Sequence, residues 1–130
     1  MKILIVDDEA MVALSLKFLL GSHGHQVVGT ADDISTAIAI ANANRPELAF
    51  VDVQLAHGAS GMDVAAELTS RGVMCVLLTG NSPETPLPEL AIGCLTKPCS
   101  DDALMAAIRV AAIVSDGSEL PLLPLGLELY

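Results

Sequence analysis

Polar side chains that could carry chemistry follow four of the short apolar runs in this 130-residue chain. Asp7 and Asp8 follow the first run, Asp52 the third, Thr79 the fourth and Lys97 the fifth. Converging carboxylates repel one another unless a cation lies among them, and oxygen ligands with open positions suit Mg²⁺. The pattern therefore indicates a magnesium site beside Asp52, a carboxylate that can accept a phosphoryl group and become an aspartyl phosphate.

The remaining strand-end residues fit the same chemistry, because phosphoryl transfer depends mainly on positioning and on neutralising charge. Lys97 can supply a cation to the phosphoryl oxygens and Thr79 a neutral hydroxyl donor, while Gly80 leaves space for a donor molecule. Asp7 and Asp8 are adjacent and cannot point the same way. We therefore expect one of them to ligate the metal directly and the other through water.

The order of elements explains how these residues could meet. The apolar runs predict buried parallel strands at Ile3–Val6, Val27–Thr30, Leu48–Val51, Cys75–Leu78 and, more weakly, Ile92–Leu95. Apolar spacing of three and four residues predicts helices at Glu9–Leu20, Ile34–Asn44, Met62–Ser70 and Asp101–Val114. Asp33 and Ser100 are the expected N-caps of the second and last helix. The alternation predicts an α/β doubly wound sheet, on which ligands bind beyond the carboxyl ends of the strands.

Two segments depart from this alternation. Pro83, Pro86 and Pro88 stand where a helix is expected between the last two strands, so at most one turn fits, from Pro88 to Ile92. We assign residues 1–114 to the domain and residues 115–130 to a linker and an apolar tail. The tail is expected to pack on its own domain or on a second copy, giving a homodimer, because an exposed apolar tail would promote association.

Composition excludes several classes of protein. Six basic and sixteen acidic residues give a net charge of −10, which excludes a basic nucleic-acid-binding domain, and an aromatic content of 2% leaves little to stack on bases. No apolar stretch is long enough to cross a membrane or to form a signal peptide. The chain has three cysteines, Cys75, Cys94 and Cys99, and no two of them form a C-x-x-C motif, so a reduced cytoplasmic setting is expected. Cys75 lies in an apolar run and is expected to be a buried apolar residue.

The strand-end motifs together resemble those of the response-regulator receiver domain, the phospho-acceptor module of two-component signalling. The resemblance covers Lys2 to about Val114 and is carried by Ile-Val-Asp7-Asp8-Glu9, Ala-Phe-Val-Asp52, Leu-Leu-Thr79-Gly80 and Leu-Thr-Lys97-Pro98. It implies a flavodoxin-like, five-stranded parallel sheet with strand order 2-1-3-4-5.

The same resemblance implies a role for each site residue. Asp52 would be phosphorylated, and Asp7, Asp8 and Asp52 would hold Mg²⁺ with the backbone carbonyl of Gln54. Thr79, Gly80 and Lys97 would form the phosphoryl-binding and switch region, and the Lys97-Pro98 peptide bond would be cis.

Three features differ from the family pattern. The loop after Asp52 is about one residue longer than usual, and the gap from Thr79 to Lys97 is about four residues shorter. The position three residues before the lysine, which is usually Tyr or Phe in the family, is Cys94. The chain has no aromatic residue between Val51 and Leu129, so a switch here must work through loop or backbone movement.

Simpler interpretations of single residues remain open at this point. Asp8 could be a helix N-cap, Asp52 a loop acid or a cap on the following turn, and Cys94 and Cys99 a redox pair. Thr79 and Lys97 could be ordinary strand-end and surface residues. Two alternative functions also remain, a phosphatase that uses an aspartyl phosphate and a binding module that keeps the site as a relic.

The function predicted from the sequence is a single receiver domain that is not an enzyme and has no effector domain attached. A histidine kinase or a histidine-containing phosphotransfer protein would phosphorylate Asp52 in the presence of Mg²⁺. The output would pass through contact with a downstream protein that the sequence does not identify.

Overall fold

The central strands form because each is a short apolar run that can be buried on both faces of a sheet, whereas β2, at the edge of the sheet, is only partly buried. The computed structural model describes residues 1–55, 61–80, 91–96, 100–116 and 127–129. Its strands are β1 (Lys2–Val6), β2 (Gln26–Ala31), β3 (Leu48–Asp52), β4 (Met74–Thr79), β5 (Gly93–Thr96) and β6 (Leu127–Leu129). Its helices are α1 (Ala10–Ser22), α2 (Ile34–Asn44), α3 (Gly61–Ser70) and α4 (Asp101–Asp116).

The sheet has the predicted parallel core and one strand that the sequence did not predict. Its order is β2-β1-β3-β4-β5-β6, and the first five strands are parallel. This confirms the doubly wound fold with strand order 2-1-3-4-5. The sixth strand comes from the apolar tail and pairs antiparallel with β5 of the same chain. Residues 127–129 therefore lie on their own domain.

Both N-cap predictions are confirmed. The Asp33 carboxylate accepts a hydrogen bond of 2.7 Å from the backbone N–H of Thr36 in the first turn of α2. The Ser100 hydroxyl accepts a bond of 3.1 Å from the backbone N–H of Ala103 in the first turn of α4. These side chains pair backbone donors that a helix leaves without a partner in its first turn.

Helices cover both faces of the sheet, and the sheet divides the core into two layers. On one face α1 and α4 pack over side chains that include Ile5, Phe50 and Leu78. On the other face α2 and α3 pack over side chains that include Val6, Val51 and Cys94. Because the central strands are enclosed on both sides, their polar ends mark the edge at which a ligand can be reached.

The proline-rich segment is only partly described. Residues 81–90 lie outside the described part of the chain, so most of the short helix predicted there is not placed. Ala91 and Ile92, the end of that prediction, belong to no helix, and the Ile92 backbone N–H donates to the Cys75 carbonyl at 2.9 Å. Among the described helices, none has the length and apolarity needed to cross a membrane.

Candidate functional site: an acidic cluster at the carboxyl edge of the sheet

The sheet brings three of the predicted site residues to one edge. Asp7 follows the last residue of β1, while Asp52 is the last residue of β3 and Thr79 the last residue of β4. These strands are parallel neighbours, so their carboxyl ends lie side by side. Thr79 is only 8% exposed, and its register partner on β5 is Thr96, the residue before Lys97.

The carboxylates of Asp7, Asp8 and Asp52 form one cluster. One oxygen of each lies within 4.8 Å of the corresponding oxygens of the other two. Asp7 and Asp52 are buried, at 4% and 5% exposure, whereas Asp8 is exposed. Two buried carboxylates this close to a third repel one another strongly unless positive charge compensates them.

This set of donors fits Mg²⁺. The ligands are hard carboxylate oxygens, and the exposed side at Asp8 leaves room for the water molecules that Mg²⁺ retains. The same open side would admit phosphoryl oxygens. The structure thus brings together the three side chains predicted to hold the metal.

Backbone hydrogen bonds orient the two buried carboxylates. Asp7 Oδ1 accepts a bond of 2.9 Å from the backbone N–H of Glu9, and Asp52 Oδ1 accepts one of 3.0 Å from that of Gln54. Each bond closes a local turn just beyond a strand. The expected ligand role of the Gln54 carbonyl stays a prediction, although the Gln54 N–H is directly bonded to Asp52.

The start of α1 and the hydrogen bond to Asp52 decide between the open interpretations of Asp8 and Asp52. The N-cap position of α1 is occupied by Glu9, and no side chain makes a capping hydrogen bond there. The N-cap interpretation of Asp8 is therefore wrong. The Asp52 side chain caps the following turn and also belongs to the cluster, so its two interpretations are compatible.

Gly61 is a positioning residue that the sequence did not single out. Its backbone N–H donates to the Val53 carbonyl at 2.9 Å. A Cβ atom at this position would lie 1.8 Å from the Asp52 carbonyl oxygen and 2.8 Å from Val53 Cα. The start of α3 thus packs directly against the backbone that carries Asp52. A glycine directly before a helical pattern was the only signal of this contact in the sequence.

Two other predicted site residues differ in what the structure describes. Gly80 lies directly after β4, and among the described residues no atom lies within 4 Å of a Cβ atom built there; the space expected beside it for a donor molecule stays a prediction. Lys97 and Pro98 lie outside the described residues. The phosphoryl-binding role of Lys97 and the cis peptide bond therefore stay predictions.

The position with the unusual cysteine lies in the interior of the sheet. Cys94 is fully buried in β5, within the core layer beneath α2 and α3. The two aromatic side chains in the described residues lie elsewhere. Phe50 is buried in the opposite layer and Phe18 is exposed on α1.

The buried thiols behave as apolar core residues. Cys75 is free and buried, as predicted, and desolvation raises the pKa of its thiol to about 11 although a hydrogen bond from Thr69 opposes that rise. Cys94 is also a free, buried thiol. Cys99, its partner in the alternative redox interpretation, lies outside the described residues.

Comparison with known proteins identifies the family. Residues 3–109 match the family described as the response regulator receiver domain. The chain is 30% identical over 115 residues to the transcriptional regulatory protein PdtaR of Mycobacterium tuberculosis, covering 85% of this chain and 56% of that protein. It is 28% identical to protein PilH of Pseudomonas aeruginosa, covering 83% of this chain and 94% of PilH.

A solved structure shows the same fold. The signal receiver domain of a modulated diguanylate cyclase from Desulfovibrio desulfuricans G20 superimposes with a TM-score of 0.79 at 28% identity, covering 91% of this chain and 98% of that domain. With a family match over most of its length and the acidic cluster at the expected strand ends, this chain belongs to the response regulator receiver domains of two-component signal transduction.

Proposed function

We propose that this chain accepts a phosphoryl group on Asp52 from the phosphohistidine of a histidine kinase or a histidine-containing phosphotransfer protein. The observation that carries the proposal is the approach of the Asp7, Asp8 and Asp52 carboxylates to within 4.8 Å at the end of β1 and β3. Thr79 ends the neighbouring strand, β4, which supports a role for its hydroxyl as a donor to the transferred group.

In the proposed reaction, a carboxylate oxygen of Asp52 attacks the phosphorus atom of the phosphohistidine. The new O–P bond forms as the P–N bond breaks, and the leaving imidazole nitrogen takes up a proton. The bond from the Gln54 N–H holds the Asp52 carboxylate in one orientation, which reduces the reorganisation needed for attack. The Thr79 hydroxyl and the Lys97 ammonium group would donate hydrogen bonds to the phosphoryl oxygens.

Bound Mg²⁺ would neutralise charge on the carboxylates and on the phosphoryl oxygens. Asp7, Asp8 and Asp52 would hold it with the Gln54 carbonyl. Asp7 is well suited to direct ligation, because its buried carboxylate is oriented by the Glu9 N–H. Asp8, on the exposed side, would ligate through water. Output would pass through protein–protein contact in the cytoplasm, without turnover of a substrate by this chain.

The test is adduct formation on the full chain. Incubation with Mg²⁺ and a small phospho-donor, or with Mg²⁺ and beryllofluoride, should give one adduct per chain in intact mass spectra or in backbone NMR shifts around Asp7 and Thr79. Asp52→Ala should abolish the adduct. Asp102→Ala, which removes an exposed carboxylate in the first turn of α4, should retain it.

The competing functions predict different results. A relic site would give no adduct with the intact chain, even at saturating Mg²⁺. A phosphatase would release phosphate from phosphate esters over many turnovers. Either result would overturn the proposal.

A further inference from the structure

The tail strand β6 covers the edge of the sheet that lies nearest the proposed phosphoryl-binding residues. Leu127, Glu128 and Leu129 are in register with Leu95, Cys94 and Gly93 of β5. The residue opposite Glu128 is thus Cys94, the position at which the family usually has a ring. Without β6, the outer edge of β5 would present unpaired backbone groups.

A lateral row of residues connects the proposed phosphorylation site to this strand. Asp52 of β3 is in register with Leu78 of β4. Leu78 is in register with Leu95 of β5, and Leu95 with Leu127 of β6. The three leucines belong to one buried core layer, so they are packed side chains as well as backbone neighbours.

The attachment of β6 is short. The strand has three residues, of which Leu127 is buried at 6% exposure. Such a short edge strand opens at low free-energy cost compared with the central strands, which are enclosed on both faces. A small displacement of β5 would therefore be enough to change the population of the attached state.

We propose that the row Asp52–Leu78–Leu95–Leu127 couples phosphorylation of Asp52 to detachment of β6 from β5. The tail strand then reports the state of the site in a chain whose switch position lacks an aromatic ring. This inference rests on the proposed phosphorylation of Asp52.

The direction follows from the order of the strands. Thr79 is the last residue of β4, and Lys97 follows the last residue of β5 in the sequence; both would be drawn toward a phosphoryl group on β3. Leu95 lies two residues before Lys97, so this movement takes the β5 partner of Leu127 away from β6.

The test measures amide hydrogen exchange of the full chain with and without Mg²⁺ and beryllofluoride, while NMR shifts around Asp7 and Thr79 report the adduct. We expect the amides of residues 127–129 to exchange on the order of 10-fold faster in the adduct. Amides of β2, the edge strand on the opposite side of the sheet, should be unchanged. Asp52→Ala should show no acceleration under the same conditions.

Thermodynamic reciprocity supplies a second measurement. If the adduct releases β6, weakening β6 must favour the adduct, so Leu127→Ala should bind beryllofluoride more tightly than the unchanged chain. Val114→Ala, on an exposed position of α4, should bind with unchanged affinity.

The outcomes separate the two proposals. An adduct with unchanged or slower exchange at residues 127–129 would overturn the coupling and leave the phospho-acceptor function standing. An adduct affinity unaffected by Leu127→Ala would do the same. Absence of any adduct would overturn both proposals.

Discussion

Three carboxylates of different exposure lie together at one edge of the sheet. Asp7 and Asp52 are buried and oriented by backbone N–H groups, whereas Asp8 is exposed at the open side of the cluster. Without a cation, bringing these charges together opposes folding. Bound Mg²⁺ would reverse this effect, because a ligand that binds only the folded state stabilises it.

Asp8→Asn should therefore raise stability in the absence of Mg²⁺ and reduce the stabilisation that Mg²⁺ provides. In the presence of a chelator, we expect the free energy of unfolding to rise by a few tenths to about 1 kcal/mol, since one partly solvated repulsion is removed. With Mg²⁺, the variant should show a smaller rise in Tm than the unchanged chain. Thermal unfolding across a Mg²⁺ titration checks both signs.

Asp102→Asn is the matched control, because it removes one negative charge outside the cluster. It should leave the Mg²⁺-dependent rise in Tm unchanged. Equal rises for Asp8→Asn and the unchanged chain would contradict a role for Asp8 at the metal.

At the scale of elements, the contact between the start of α3 and the end of β3 holds Asp52 in position. Gly61 is the first residue of α3, and its N–H donates to the Val53 carbonyl. The Asp52 carbonyl oxygen lies only 1.8 Å from where a Cβ atom of residue 61 would be. Residue 61 must lack a side chain for reasons of space, because the nearest atoms belong to the backbone of Asp52 and Val53 and cannot rotate away. The start of α3 and the end of β3 therefore behave as one unit.

Gly61→Ala should destabilise the fold by about 1–3 kcal/mol, the usual cost of adding atoms to a closely packed site. It should also weaken beryllofluoride binding, because the backbone of Asp52 must shift to admit the methyl group. Urea unfolding and adduct titration measure the two effects.

Gly21→Ala provides the control. Gly21 lies in α1, and no atom of the described residues lies within 4 Å of its added Cβ, so alanine there should stabilise the helix by up to about 1 kcal/mol. If both alanine variants raised stability alike, the close approach at Gly61 would be refuted.

At the scale of the whole molecule, the tail completes the sheet. β6 closes the β5 edge, and Leu127 extends the core layer beneath α1 and α4 across that edge. The opposite edge strand, β2, has no such cover among the described residues. The two edges of one sheet therefore differ, and the covered edge is the one next to the position of Cys94.

Leu127→Ala should lower the free energy of unfolding by about 1–2 kcal/mol. This is less than the roughly 2–5 kcal/mol for leucine in an enclosed core, because a three-residue strand can detach and so limit the loss. Chemical denaturation gives the value. Leu14→Ala, at a position 47% exposed, should stay within about 0.5 kcal/mol of the unchanged chain. Equal effects of the two substitutions would show that β6 does not contribute to the folded unit.

The sequence alone determined the parallel sheet, the caps at Asp33 and Ser100, and the approach of Asp7, Asp8 and Asp52. All three follow from local patterns: apolar runs form buried strands, polar residues cap helix starts, and carboxyl ends of parallel strands share one edge. Only the tertiary structure decided that Gly61 contacts the Asp52 backbone and that residues 127–129 pair with β5. Both depend on contacts between separate segments of the chain, and in the sequence a glycine or a short apolar strand looks the same whatever it packs against.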